Sequence, residues 1–141
     1  DARQAYQNLH DANAPHGPLR TAECTVFGAE ERVCLARAQA SGELDDLRQA
    51  YDPVEVQVLR IGRACLVGLP GECFVEYALR IKECAAGQAF VVSLANGELQ
   101  GYIVTPEATG YEAGLSLFLP EAGQRLVAAA VDGMQSVKEP S

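Results

Sequence analysis

Residues 54–69 constrain the fold more than any other part of the sequence. The first half of this run alternates β-branched apolar residues with polar ones, which is typical of a half-buried strand. Gly62 and Arg63 form a turn signal, and residues 64–69 are an apolar run of strand length. The pattern predicts a β-hairpin, with a bulge that keeps every apolar residue inside.

Helix and strand signals alternate after the hairpin. Residues 71–85 repeat apolar side chains at helical spacing and predict an amphipathic helix. Residues 90–95 are typical of a buried strand, and residues 102–104 predict a strand that continues it or pairs with it. A helix start is expected at residues 105–107, where Pro takes the first helical position, and a final helix over residues 126–131. We therefore expect an α/β fold, in which helices pack on a mixed β-sheet.

The N-terminal part predicts helices and one strand. Residues 1–14 have the pattern of a helix end, and residues 19–27 alternate imperfectly, which favours a strand. Residues 30–51 are rich in helix-forming residues. Ser41 and Gly42 are expected to break that helix into two.

A chain of 141 residues suits one domain. We expect residues 1–141 to form a single α/β domain or a fragment of one. It would comprise a helical and strand lead-in over 1–53, a central segment over 54–123, and a C-terminal helix with a tail over 124–141. The sequence begins at Asp1 without a signal-peptide pattern, so we expect it to be a partial domain of a larger protein.

Charge and hydropathy exclude two classes of partner. The formal net charge is −8, and the 11 Lys and Arg residues form no cluster, so neither nucleic acid nor an anionic membrane is expected to bind. No apolar run approaches the ~20 residues of a transmembrane helix, which favours a soluble protein. The five cysteines are an odd number without a Cys-x-x-Cys pair, which favours reduced thiols and a cytoplasmic location. The spacing leaves open whether a disulfide such as Cys65–Cys73 forms.

Polar groups stand at three places where an apolar strand ends. Glu72 follows a Gly/Pro turn, either as a first-turn acid favoured by a helix dipole or as a metal ligand on a rigid element. Asn96 and Tyr102 flank a stretch that contains two glycines, although Tyr102 also suits a core position. Tyr111 and Glu112 lie in a glycine-flanked loop. Glu112 is there either a solvated surface acid or a further candidate site residue.

These positions belong to five short motifs in the central segment. They are Leu69-Pro-Gly-Glu72-Cys-Phe, a helix that contains Arg80, Val91-Val-Ser-Leu-Ala-Asn96, Gly101-Tyr102-Ile-Val-Thr-Pro-Glu107 and Tyr111-Glu112-Ala. In order and spacing the segment resembles the neutral (non-lysosomal) ceramidase family and its bacterial relatives. The resemblance covers about half of the chain. It implies the C-terminal part of that family's catalytic domain.

The resemblance also implies an activity and a metal. Family members are zinc-dependent amide hydrolases, in which a metal-activated water attacks the amide carbonyl of an N-acylated sphingoid base. Glu72 and Tyr102 match the glutamate and tyrosine ligands of the zinc, which two histidines complete. Tyr111, Glu112 and Asn96 would lie near the metal or in a substrate-facing loop.

The chain departs from the family pattern in two respects. The family's histidine ligands come from an earlier part of the catalytic domain, and neither His10 nor His16 lies in a matching motif. We therefore expect zinc in the complete enzyme and none in this chain, which would be inactive alone. The expected partner is the missing N-terminal part of the protein, or a second copy, and an apolar face should be left uncovered.

The second departure is a loop between Tyr102 and Tyr111 that is shorter than in the family. Because such loops set specificity, another amide or an ester is an alternative substrate. A non-catalytic α/β domain with a structural or binding role, which keeps the scaffold without the metal, is the alternative function.

Overall fold

The computed structural model describes residues 1–97, 99–119 and 121–137. The chain divides into two compact units, Asp1–Ala50 and Tyr51–Ser141. Helices and a small mixed sheet together make it an α/β protein, as the sequence predicts. Across the three described ranges, no helix has both the length and the apolar character needed to cross a bilayer.

The first unit consists of three helices. They are α1 (Ala2–Asp11), α2 (His16–Ser41) and α3 (Glu43–Ala50). The Asp1 carboxylate caps α1 by accepting a hydrogen bond from the Arg3 amide at 3.1 Å. Arg3 also pairs with Glu30 at 2.5 Å, which ties α1 to α2. Gly42 ends α2 with a φ of +88°, a left-handed conformation that glycine adopts without strain.

The prediction of a strand over residues 19–27 is wrong, because these residues lie inside α2. Leu19, Ala22 and Val26 are spaced by three and four residues, so a helix places them on one face, where they are half-buried. The helices expected over 1–14 and 30–51 are confirmed, with the break between α2 and α3.

The second unit contains five strands and three helices among its described residues. They are β1 (Gln57–Ile61), β2 (Ala64–Gly68), β3 (Gly71–Cys73), α4 (Val75–Cys84), β4 (Gln88–Val92), β5 (Leu99–Ile103), α5 (Tyr111–Leu115) and α6 (Glu121–Ser136). One sheet has the order β1-β2-β4, with β2 antiparallel to β1 and parallel to β4. A second sheet pairs β3 with β5 in parallel.

The hairpin is confirmed, but it lacks the expected bulge. The β1–β2 register runs without interruption from Gln57 opposite Gly68 to Ile61 opposite Ala64. Gly62 makes the turn at a φ of +59°. Because side chains alternate strictly along a regular strand, Leu59 and Ile61 point away from the core.

Three later boundaries also differ from the expectation. Helix α4 begins at Val75, four residues late, because the preceding residues form β3. Strand β5 pairs with β3 and not with β4. The expected helix start at residues 105–107 is a turn, which the Ala108 amide closes by donating to the Thr105 carbonyl at 3.0 Å. The final helix is confirmed and is longer than expected.

The core of the second unit lies between the inner face of the β1–β2–β4 sheet and helices α4 and α6. Its buried members are Cys65, Val67, Leu69, Tyr77, Ile81, Ala89, Ile103, Leu126, Ala130 and Met134. Two glycines let α6 approach closely. A Cβ at Gly123 would overlap the ring of Tyr77, and one at Gly133 would lie 2.7 Å from Cγ2 of Val58.

Arg60 joins the first strand of this unit to the last helix. Its Nε donates to the Val137 carbonyl at 2.9 Å and its Nη2 to the Met134 carbonyl at 3.1 Å. These carbonyls lie at the C-terminal end of α6, where backbone acceptors lack helical partners and a positive charge is favoured.

All five cysteines have free thiols. Cys24, Cys34 and Cys84 are exposed, Cys65 is buried and Cys73 is half-buried. The prediction of reduced cysteines is confirmed, and a Cys65–Cys73 disulfide is not formed.

Candidate functional site

Glu72 and Tyr102 lie next to each other on neighbouring strands. Glu72 of β3 is the register partner of Tyr102 of β5, and Cys73 is the partner of Ile103. Adjacent strands are about 4.8 Å apart, and paired residues project to the same side of a sheet. Ile103 is buried in the core, so Glu72 and Tyr102 are on the outward side.

A bulge in β5 produces this pairing. Gly71 pairs with Leu99, but the next residue of β3 pairs with Tyr102, so β5 has two extra residues at this point. Gly101 takes a φ of +86° within the bulge, which favours glycine. Bulges change the direction in which a side chain points, and here the bulge places Tyr102 beside Glu72.

Glu72, Tyr102 and Glu112 line one open cleft of about 450 Å³. The other lining residues come from the junction of β3 and α4, and they are Cys73, Phe74, Val75 and Glu76. The sequence analysis missed Glu76. A signal for it was present, because the first turn of α4 directly follows the strand that carries Glu72.

Helix α5 places a second tyrosine, Tyr111, against the ring of Tyr102. The ring of Tyr111 lies edge-on to that of Tyr102, with 6.2 Å between the centroids, a favourable arrangement for aromatic pairs. The Ser116 hydroxyl, directly after α5, donates to the Tyr102 carbonyl at 2.7 Å. The structure thus holds Tyr102 from both its ring and its backbone. Sequence reasoning did not identify Ser116.

Asn96 lies outside this cleft. Its side-chain amide donates to the carboxylate of Glu55 at 3.0 Å, and its own backbone has a φ of +59°. The structure therefore gives Asn96 a role in fixing the loop after β4, and does not bring it to Glu72.

Cys73 is the thiol nearest to the candidate ligands. Burial raises its pKa from 9.0 to about 11, because a thiolate is poorly solvated there. The thiol is therefore protonated at neutral pH and unsuited to nucleophilic attack.

The two candidate ligands are fewer than a protein zinc site uses. Within the described ranges, no group of three or more His, Cys, Asp or Glu residues could hold a metal ion. His10 lies 3.6 Å from the carboxylate of Asp11 and both side chains are exposed, while His16 is the exposed first residue of α2. Glu72 and Tyr102 therefore provide two oxygen donors, whereas protein zinc sites use three or four groups.

Comparisons with protein-family models, curated proteins and solved structures gave no match for this chain.

Proposed function

We propose that this chain carries the carboxylate and phenol half of the zinc site of a ceramidase-like amide hydrolase. The observation that supports it is the pairing of Glu72 with Tyr102 at the mouth of one cleft. These two residues occupy the ligand positions of the family motifs, and they are separated by 29 residues in sequence. A chance resemblance gives no reason for the two residues to be register partners in one cleft.

The missing ligands would be histidine nitrogens from the N-terminal part of the catalytic domain. Bound zinc would lower the pKa of a water molecule and polarise an amide carbonyl. Glu72 supplies a negative charge and Tyr102 a phenol oxygen, which the Tyr111 ring and Ser116 hold in place. Glu76 and Glu112 add two further carboxylates to the cleft, and the negative charge attracts a cation. The substrate would be an N-acylated sphingoid base, or another amide or ester.

Titration of the 141-residue chain with Zn²⁺, followed by NMR, tests the site. We expect weak binding, with the largest changes at Glu72 and Tyr102, because two ligands are missing. Glu72→Gln and Tyr102→Phe should each weaken binding by about tenfold or more, a loss of about 1.4 kcal/mol. Glu83→Gln on the exposed side of α4 and Tyr51→Phe are matched controls, since neither residue lines the cleft.

Equal effects of Glu72→Gln and Glu83→Gln would contradict the metal site. In the complete enzyme, Glu72→Gln should abolish hydrolysis of an N-acyl amide while Glu83→Gln preserves it. If zinc binds elsewhere on the chain, the non-catalytic domain with a binding role becomes the better reading.

A further inference from the structure

Three successive backbone carbonyls at and directly after the end of β5 each accept a hydrogen bond from another part of the second unit. The pairs are the Ser116 hydroxyl with Tyr102 at 2.7 Å, the Phe74 amide with Ile103 at 3.0 Å, and the Tyr77 hydroxyl with Val104 at 2.8 Å. Two of the three donors are side-chain hydroxyls. A conservative substitution can remove each hydroxyl without changing the backbone.

The Tyr102 carbonyl cannot receive its hydrogen bond from β3. Successive carbonyls of a strand point to opposite edges. The Phe74 amide, which directly follows β3, binds the Ile103 carbonyl, so the Tyr102 carbonyl points to the other edge of β5. Backbone acceptors at a strand edge need a partner, and the Ser116 hydroxyl is that partner here.

The Ser116 hydroxyl joins this edge to the segment after α5. A hydroxyl has one proton to donate. The Tyr102 carbonyl at 2.7 Å receives it, since the Phe118 carbonyl is 3.5 Å away. The same oxygen accepts from the Phe118 amide at 3.4 Å. Ser116 thus fixes the peptide group of Tyr102 to a second backbone segment.

Tyr77 anchors the next accepting carbonyl to the core. Its side chain is 2% exposed, and its ring packs against α6 at Gly123. Burial raises the pKa of the Tyr77 hydroxyl, because a phenolate is poorly solvated there. The hydroxyl therefore keeps the proton that it donates to the Val104 carbonyl.

The strand pairing alone gives Tyr102 little support. A bulge disrupts the ladder locally, and the bulge at Gly101 is followed by two register pairs before β3 ends. They are Glu72 with Tyr102 and Cys73 with Ile103. Donors from outside this strand pair therefore contribute to the direction in which the Tyr102 side chain projects.

We propose that Ser116 and Tyr77 are positioning residues for the phenol of Tyr102. They hold the backbone from which this phenol projects beside Glu72, and they act on the cleft only through it. The inference rests on the proposed function, because the phenol oxygen of Tyr102 is the proposed metal ligand.

The first test needs no metal and uses the full chain. The rings of Tyr102 and Tyr111 lie edge-on with 6.2 Å between their centroids, so their protons should give a nuclear Overhauser cross-peak. Ser116→Ala and Tyr77→Phe should each weaken or abolish it. Ser116→Thr retains the hydroxyl and should restore it.

Two matched controls remove hydroxyls away from the cleft. Ser136→Ala deletes a hydroxyl that donates to the Asp132 carbonyl of α6 at 2.8 Å, and Tyr51→Phe deletes a phenol hydroxyl. Both should leave the cross-peak between the two rings unchanged. If Ser116→Ala and Tyr77→Phe behave like these controls, the proposal is overturned.

The second test is a double-mutant cycle on zinc binding. Ser116→Ala should weaken binding about fivefold, the contribution of one hydrogen bond. In the Tyr102→Phe background the same change should have no further effect, because Ser116 acts through the Tyr102 phenol. An undiminished effect in that background would contradict the positioning role.

The two tests separate this proposal from the metal site. If Glu72→Gln leaves zinc binding unchanged while Ser116→Ala abolishes the cross-peak, the metal site fails and the positioning of Tyr102 stands. If Glu72→Gln weakens zinc binding while Ser116→Ala changes neither measurement, the proposed function stands and this inference fails.

Discussion

Replacing Gly123 with alanine tests how α6 packs against α4. The added Cβ would overlap several atoms of the Tyr77 ring. The ring cannot move aside, because Tyr77 is only 2% exposed and its hydroxyl donates to the Val104 carbonyl at 2.8 Å. Overpacking of a dense core costs about 1–3 kcal/mol, and this site belongs to the upper part of that range.

The same substitution also improves helix propensity. Alanine is about 1 kcal/mol more favourable than glycine inside a helix, which offsets part of the overlap. We therefore expect the free energy of unfolding to fall by about 1–2 kcal/mol, and the melting temperature by about 5–10 °C. Urea unfolding followed by circular dichroism measures the first quantity, and thermal unfolding the second.

Two further variants separate the cost of the steric overlap from the gain in helix propensity. Ala129→Gly, at an exposed position of the same helix, measures propensity alone and should cost about 1 kcal/mol. Gly123→Ala combined with Tyr77→Leu should be more stable than the sum of the single changes predicts, because the smaller side chain relieves the overlap. If Gly123→Ala alone stabilises the protein, the close approach of α6 to the Tyr77 ring is not real.

Two other predictions concern the second unit. Arg60→Ala should lower the free energy of unfolding by about 1–2 kcal/mol, because it leaves the carbonyls of Met134 and Val137 without their donors. Arg60→Lys keeps the charge but cannot donate to both carbonyls in the same geometry, so it should recover only part of the loss. Equal stability of the wild-type protein and both variants in urea would refute the role of Arg60 in capping α6. Cys73 should react with iodoacetamide more slowly than the exposed Cys24, Cys34 and Cys84. Because folding raises the pKa of Cys73, the folded state retains a proton that the unfolded state loses. This group should therefore leave the free energy of unfolding unchanged below pH 9.0 and lower it as the pH rises towards about 11. A Cys73→Ala variant should lose that part of the pH dependence.

Local patterns were sufficient for some elements and not for others. The hairpin was predictable because the alternation of β1 and the Gly62 turn both lie within a few residues. The helical conformation of residues 19–27 was not predictable, because Leu19 and Val26 fit a helix face as well as an imperfect strand. Strand β3 has only three residues and depends on pairing with β5, which is far away in sequence. No local signal could show that pairing.

The candidate site was predictable in its main pair and not in its surroundings. Glu72 and Tyr102 were expected to share an edge because each was expected to follow a strand. They meet for another reason, since each lies inside a strand and the two strands pair directly. Glu76 reaches the cleft from the start of α4, and Ser116 contacts Tyr102 from the end of α5. Both positions depend on tertiary packing. Asn96 was expected nearby, but the left-handed loop after β4 turns it to Glu55.

The link between Arg60 and the end of α6 has a consequence for synthesis on the ribosome. The inner side of β1 packs against α6, through Gly133 beneath Val58 and the carbonyls that Arg60 binds. The two hydrogen bonds of Arg60 join residues 74 and 77 positions apart. The hairpin therefore emerges long before its covering helix, and this unit cannot close until residue 137 has been translated. During that interval the nascent hairpin exposes apolar residues on both faces, a state that is prone to aggregation.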